Sequence, residues 1–285
     1  MAIEPPPATS VRLAVTAALA EDRAGEDITT LATVDAALQG RARLVAKEPG
    51  VLAGVDVAIA VFKALDPRVA VVAAMADGER FAAGDCVAEI AGPVRALLQG
   101  ERVALNFLQR LSGTATLARR FVDAVAGTDA AILDTRKTTP GLRDLEKYAV
   151  RCGGATNHRR DLAVMAMIKD NHREALARRG WSLADGAAAI RAQAPGAPVE
   201  VEIDWLDDLE AALAGGPEWV LLDNMGVAAM AEAVRRTAGR AKLEASGGVT
   251  LETVRAIAET GVDGISVGAL THSARALDIG LDLAF

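Results

Sequence analysis

The feature that most constrains the fold of this chain is a set of six short apolar runs after Ser112, each ending in polar residues. The runs are Ala130–Leu133, Met165–Ile168, Val199–Ile203, Trp219–Leu222, Lys242–Ala245 and Val262–Val267. Each has the length of a strand, and each segment between them can hold a crossover helix. The pattern therefore predicts β/α repeats around a parallel sheet. Asp134 follows the first run and Lys169 the second, and Glu202 sits within the end of the third. Asp223 follows the fourth, Ser246-Gly247-Gly248 the fifth and Gly268 the sixth. Chemistry-capable groups thus collect at the C-terminal strand ends, where β/α barrels and open doubly wound sheets both build their sites. Six consecutive loaded ends suit a ring converging on one pocket.

The first half reads differently. Pro5–Pro7 predicts an extended lead-in, and Ser10 is a suitable N-cap for a helix running to about Glu21. From Gly40 to about Glu89, short β-prone runs alternate with the turn signals Pro49-Gly50, Asp66-Pro67, Asp77-Gly78 and Gly84-Asp85. One helix, near Val55–Leu65, interrupts them, which predicts an α+β region with an antiparallel sheet. Pro93 stands where a helix would start, and that helix is expected to reach about Leu111. A length of 285 residues accommodates one large domain or two modest ones.

The net charge of −7 and pI near 5.1 argue against nucleic acid or an anionic membrane as the main partner. Affinity for an anion must come from a local cluster of cations. No apolar stretch approaches the roughly 18 residues of a membrane span, and the start lacks the basic and apolar character of a signal peptide. Cys86 and Cys152 make no metal-type pair and no disulfide framework, so a reduced, cytoplasmic protein is expected.

Such a cluster is present. Arg136 and Lys137 follow the first predicted strand, and Lys147, Arg151, His158, Arg159 and Lys169 come after them. Lys147 and Arg160 read well as solvated helix charges, whereas Arg136, Lys137 and Lys169 abut buried strands. Several cations converging on one pocket call for a polyanionic ligand, with guanidinium forks suited to carboxylates and Lys supplying point charge. The three histidines, His158, His172 and His272, lie in polar or turn-like contexts without the spacing of a His-ligated zinc site. Glu200, Glu202 and Asp204 share one strand face by alternation, with Asp223 on the next strand end. These carboxylates suit Mg²⁺ or a ribose diol as well as an ordinary acidic edge. Ser246-Gly247-Gly248, and Gly268 with Thr271, are small-residue turns able to cradle a phosphate.

The segments EDRAGEDITT (21–30), GVLAG (50–54), ERVALNFLQRLSG (101–113), DTRKTTPGLRDLEKYAVRCGG (134–154), NHR (157–159), IKDNH (168–172), EVE (200–202), LLDNM (221–225), EASGG (244–248) and ISVGALTHS (265–273) resemble one family in order. That family is the quinolinate phosphoribosyltransferases, and DTRKTTPGLR with a downstream IKDNH is specific to it. The resemblance implies an N-terminal α/β sandwich domain over residues 1–113, completed by a tail at 270–285. It implies an open, irregular α/β barrel over 114–269. It also implies a homodimer in which one subunit's sandwich covers the partner's barrel mouth, bringing Arg102 to the neighbouring quinolinate site. Arg136, His158, Arg159 and Lys169 would complete the dicarboxylate pocket. Lys137 and Lys169 would serve phosphoribosyl pyrophosphate. Glu202 and Asp223 would hold its ribose and Mg²⁺, and Ser246, Gly247, Gly248, Gly268 and His272 the 5′-phosphate.

The chain departs from the family pattern between the substrate motifs. Ala155 and Asp161 stand where glycine is usual, and Val164 where an aspartate is usual. The reaction implied joins quinolinate to the ribosyl C1 with loss of pyrophosphate and carbon dioxide. No side-chain nucleophile is required. Two other readings share these motifs: the fold relative found in molybdate-transport operons, and a non-catalytic binder of phosphorylated metabolites. IKDNH, EVE and LLDNM favour the quinolinate enzyme over the first; the altered segment 155–164 is the only support for the second, and a quinolinate turnover assay separates all three.

Overall fold

The computed structural model describes residues 3–285. The strands are β1 (Gln39–Ala46), β2 (Gly50–Val51), β3 (Ala70–Ala74), β4 (Arg80–Phe81), β5 (Cys86–Pro93), β6 (Ala131–Leu133), β7 (Ala166–Ile168), β8 (Val199–Ile203), β9 (Trp219–Asp223), β10 (Lys242–Ser246), β11 (Gly264–Ser266) and β12 (Ile279–Ala284). Two compact units emerge. The first comprises the described residues up to Arg119, with Lys137–Gly154 and Ala269–Phe285; the second comprises Arg120–Arg136 and Ala155–Gly268.

The first unit is built on an antiparallel sheet in the order β12-β1-β5-β3, with β2 and β4 forming a separate pair. The helix Val55–Leu65 forms as its sequence predicts, burying Val57, Ala58, Val61 and Phe62. Leu44, Leu52, Ile90, Leu97 and Leu108 join Phe62 in the core. Two helix boundaries differ from expectation. The first helix spans Ala8–Glu21, so Ser10 lies inside it, and its hydroxyl donates to Asp144 at 2.6 Å rather than capping the helix. The helix that begins after Pro93 does not stop near Leu111 but runs on to Ala124. Gly113 sits in mid-helix, with the chain at Arg275 passing against it. A Cβ there would lie 1.9 Å from the Arg275 carbonyl oxygen.

The second unit carries a parallel sheet in the order β6-β11-β10-β9-β8-β7. Each strand from β8 to β11 neighbours its predecessor, and β6 then lies beside β11. An order that never reverses has no switch point and so excludes a doubly wound sheet. It is the order of a ring opened at one seam. Among the described residues no ladder joins β6 to β7. A short bridge between Leu133 and Thr156 stands at the β6 edge instead, with the Thr156 amide donating to Ile132 at 2.8 Å. The fold is thus an α/β type combining an antiparallel sheet with an incomplete parallel barrel.

Candidate active site

Alternation along β8 places Glu200 and Glu202 on one face, and both are buried. Registry across the parallel ladders puts Glu202 and Glu244 beside Leu221, and Ser246 beside Asp223, so these residues share that face. Barrel interiors are normally filled by Val, Ile and Leu. Acids buried there must be paired, since an isolated buried charge is costly.

The pairing comes from the segment after β6. The Asp134 side chain is fully buried and accepts from the Asn157 side chain at 2.6 Å and from the His158 amide at 2.8 Å. The His158 ring then reaches the inner face, with Nε2 2.9 Å from Glu244 and 3.3 Å from Glu200. Burial opposes charge on this imidazole, but the two carboxylates outweigh it and raise its pKa to about 9. The Arg159 amide, 2.7 Å from Nδ1, places the ring's proton on Nε2 in the arrangement observed and works against a second one. Glu200 is pushed upward, by burial foremost and by the charge of Glu244 as well, while His158 pulls the other way. His158, Glu200 and Glu244 lie close enough together to suggest a metal site. The ring chemistry does not fit one: with Nδ1 accepting the amide, a metal on Nε2 would require an imidazolate.

The cations divide between the two units. In the second, Arg159 donates to the Met165 carbonyl at 3.0 Å and approaches Met167 Sδ at 3.5 Å. Its pKa is lowered first by burial and next by the charge of Arg136. Lys169 caps the end of β7 and pairs with Glu202. Its amide donates to His172 Nδ1 at 3.1 Å, which gives His172 a capping role. Asp223 accepts from the Asn224 side chain at 2.6 Å. The turn after β10 needs glycine: Gly247 has φ +97°, and a Cβ there would fall 2.1 Å from Asn224 Oδ1. Gly248 follows at φ +58°, and Gly268 follows β11.

Arg102, Lys137 and His272 belong to the first unit. Arg102 is exposed on the long helix, Lys137 is exposed, and His272 is exposed with Nδ1 2.7 Å from the Ser273 hydroxyl. Lys147 corrects an expectation, since it is only 5% exposed rather than a solvated helix charge. The altered loop is well formed: Asp161 accepts the Ala163 amide at 3.0 Å and pairs with Arg160, while Leu162 and Val164 stay exposed. Sequence reasoning missed Glu244, Asn157 and Asn224 as parts of the framework. An acid inside a strand-forming run was the available signal for Glu244, as it was for Glu200 and Glu202.

Comparison with known proteins bears on the same segments. Residues 27–112 match the model of the quinolinate phosphoribosyl transferase N-terminal domain, and residues 114–282 that of the C-terminal domain. The nicotinate-nucleotide pyrophosphorylase [carboxylating] of Mycobacterium leprae is 49% identical over 272 residues, 93% of this chain and 94% of that protein. A crystal structure of NadC from Streptococcus pyogenes superposes with a TM-score of 0.90 at 42% identity, covering 97% of both chains. The nicotinate-nucleotide pyrophosphorylase from Francisella tularensis gives a TM-score of 0.91 at 37% identity over 99% of both. Both domain types in order, the same fold end to end and the acid-lined face of the parallel sheet leave a single assignment: this chain belongs to the quinolinate phosphoribosyl transferase family.

Proposed function

We propose that this protein converts quinolinate and phosphoribosyl pyrophosphate to nicotinate mononucleotide, pyrophosphate and carbon dioxide, a step of NAD biosynthesis. The observation that carries the reading is that half-buried Arg159, next to a His158 whose ring reaches the buried acids Glu244 and Glu200, feels the charge of Arg136. Such like charges favour a ligand with at least two negative groups, and guanidinium forks match the two carboxylates of quinolinate.

In this reading Arg136, Arg159, His158 and Lys169 orient quinolinate, with Arg102 of a second subunit closing the pocket in a homodimer. Lys137, Lys169, Ser246, Gly247, Gly248, Gly268 and His272 hold the phosphates. The C1–oxygen bond to pyrophosphate breaks as the pyridine nitrogen bonds to C1, with Glu202 and Asp223 near the ribose, where positive charge develops. The quaternised ring then takes up the electron pair left when the C2 carboxylate departs as carbon dioxide, and C2 gains a proton. Glu202 and Asp223 are hard oxygen donors on neighbouring strands, so they fit Mg²⁺, which when bound would offset charge on the leaving pyrophosphate. The acidic, cysteine-poor composition supports a cytoplasmic setting.

Steady-state kinetics with quinolinate and nicotinate test the proposal. Nicotinate lacks the C2 carboxylate and leaves donors built for it unpaired, so its kcat/KM should be lower by about 10⁴-fold or more. Comparable values for the two acids would overturn the dicarboxylate pocket.

A further inference from the structure

Glu146 has no exposure at all, although it lies on the short helix Arg143–Cys152 among other charged residues. Its carboxylate is fully engaged. Oε1 accepts from Arg110 Nη2 at 3.0 Å and from the Thr139 hydroxyl at 2.7 Å, and Oε2 accepts from the Thr139 amide at 3.0 Å. Arg110, on the long helix, donates as well to the Ala274 carbonyl at 2.9 Å and to the Thr271 carbonyl. Thr271 is also fully buried, and its hydroxyl donates to the Lys137 carbonyl at 2.7 Å.

These bonds close a circuit. From Lys137 the chain leads to Thr139, Thr139 to Glu146, Glu146 to Arg110, Arg110 to Thr271, and Thr271 back to Lys137. Two exposed side chains project from it, that of Lys137 and that of His272, which directly follows Thr271. A buried ion pair is a weak source of stability, because desolvation offsets most of the attraction and well-packed apolar residues do as well or better. What such a pair supplies that apolar residues cannot is direction: three donors with defined vectors meet one carboxylate and fix two separate loops in one register.

We propose that Arg110 and Glu146 are positioning residues that hold Lys137 and His272 at the spacing required by the phosphate oxyanions of phosphoribosyl pyrophosphate. This rests on the reading that those two side chains meet that substrate. Neither Arg110 nor Glu146 touches the ligand; each acts through the loop it holds. Losing the circuit weakens phosphoribosyl pyrophosphate binding and leaves quinolinate binding largely as it was.

The experiment uses the full chain with three variants: Glu146→Gln, Lys137→Ala, and the apolar pair Arg110→Met with Glu146→Leu. Binding of phosphoribosyl pyrophosphate with Mg²⁺ is measured by calorimetry, KM for both substrates by kinetics, and Tm by thermal unfolding. Glu146→Gln should weaken phosphoribosyl pyrophosphate binding and raise its KM by about tenfold, with the KM for quinolinate within about twofold of the parent. The apolar pair should keep or raise Tm yet show the same loss, which separates positioning from folding. Added to Lys137→Ala, Glu146→Gln should cost much less than it does alone, because both act on one contact. Parental affinity in the apolar pair, an equal rise in both KM values, or full additivity with Lys137→Ala would overturn the proposal. A parent that binds phosphoribosyl pyrophosphate but does not turn over quinolinate would overturn the proposed function alone, and the calorimetric comparison would still decide this inference.

Discussion

His158 is held by three groups that leave its ring little freedom. Asp134 takes its backbone amide, the Arg159 amide faces Nδ1, and Nε2 lies 2.9 Å from Glu244 with Glu200 close by. Removing Glu244 would leave a buried N–H with a poorer partner, and an unsatisfied buried group costs about 1–3 kcal/mol. Glu244→Ala should therefore lower kcat/KM for quinolinate by about tenfold or more, whereas Glu244→Gln keeps an oxygen for the same N–H and should retain most activity. Kinetics on both variants check this, and equal losses in the two would remove the hydrogen bond from the explanation. The sequence disclosed half of this arrangement. Glu200 and Glu202 stand out because they alternate with Val199, Val201 and Ile203 along one strand. Glu244 lies 44 residues after Glu200, and only the ladder registry through β9 shows that both face one imidazole.

Among the elements, the long helix Val94–Ala124 departs furthest from its sequence signal. Gly100 and Gly113 lower its intrinsic propensity, and the sequence pattern predicts a helix reaching only about Leu111. Gly113 is explained by a neighbour 162 positions away in sequence, which no local pattern encodes. The two effects of Gly113→Ala have opposite signs. Alanine gains about 1 kcal/mol of helix propensity, but its Cβ would meet backbone atoms of Arg275, which cannot rotate aside. The clash should win and destabilise the protein by about 1–3 kcal/mol or more. Gly25→Ala, with nothing within 4 Å of its Cβ, is the control and should change stability little. Denaturant unfolding of the two variants gives the answer, and a stabilised Gly113→Ala would mean the helix and the chain at Arg275 can part. The same stretch supplies a pH signature. Glu48 is held down to about 2, foremost by the Arg275 side chain and then by the Asp278 amide. A depressed carboxylate stabilises the fold above its unfolded value near 4.5, and that contribution is lost as pH falls toward about 2. The Tm advantage of the parent over Glu48→Gln should accordingly shrink across that window and stay level above it.

For the molecule as a whole, the period-2 and crossover patterns were enough to specify a parallel β/α region and an antiparallel one, because burial periodicity is local information. The seam between β6 and β7 was not legible, since it depends on the path of the chain between them. The assembly is tested by complementation. If Arg102 serves a neighbour's site, mixing inactive Arg102→Ala subunits with inactive Lys169→Ala subunits should restore part of the activity, because one hybrid site is intact. Verified subunit exchange without recovery would count against a shared site. The strand order of the first unit also bears on how the chain is made. β1 pairs on one side with β5, some 40 residues later, but on the other with β12, at residues 279–284. On the ribosome every strand of the parallel sheet emerges before β12, so β1 must wait as an open edge through most of synthesis, a period when unpaired edges invite wrong partners. The six residues that close it thus emerge after every strand of the parallel sheet, and a chain stalled before them would be released with its earliest-made sheet unfinished.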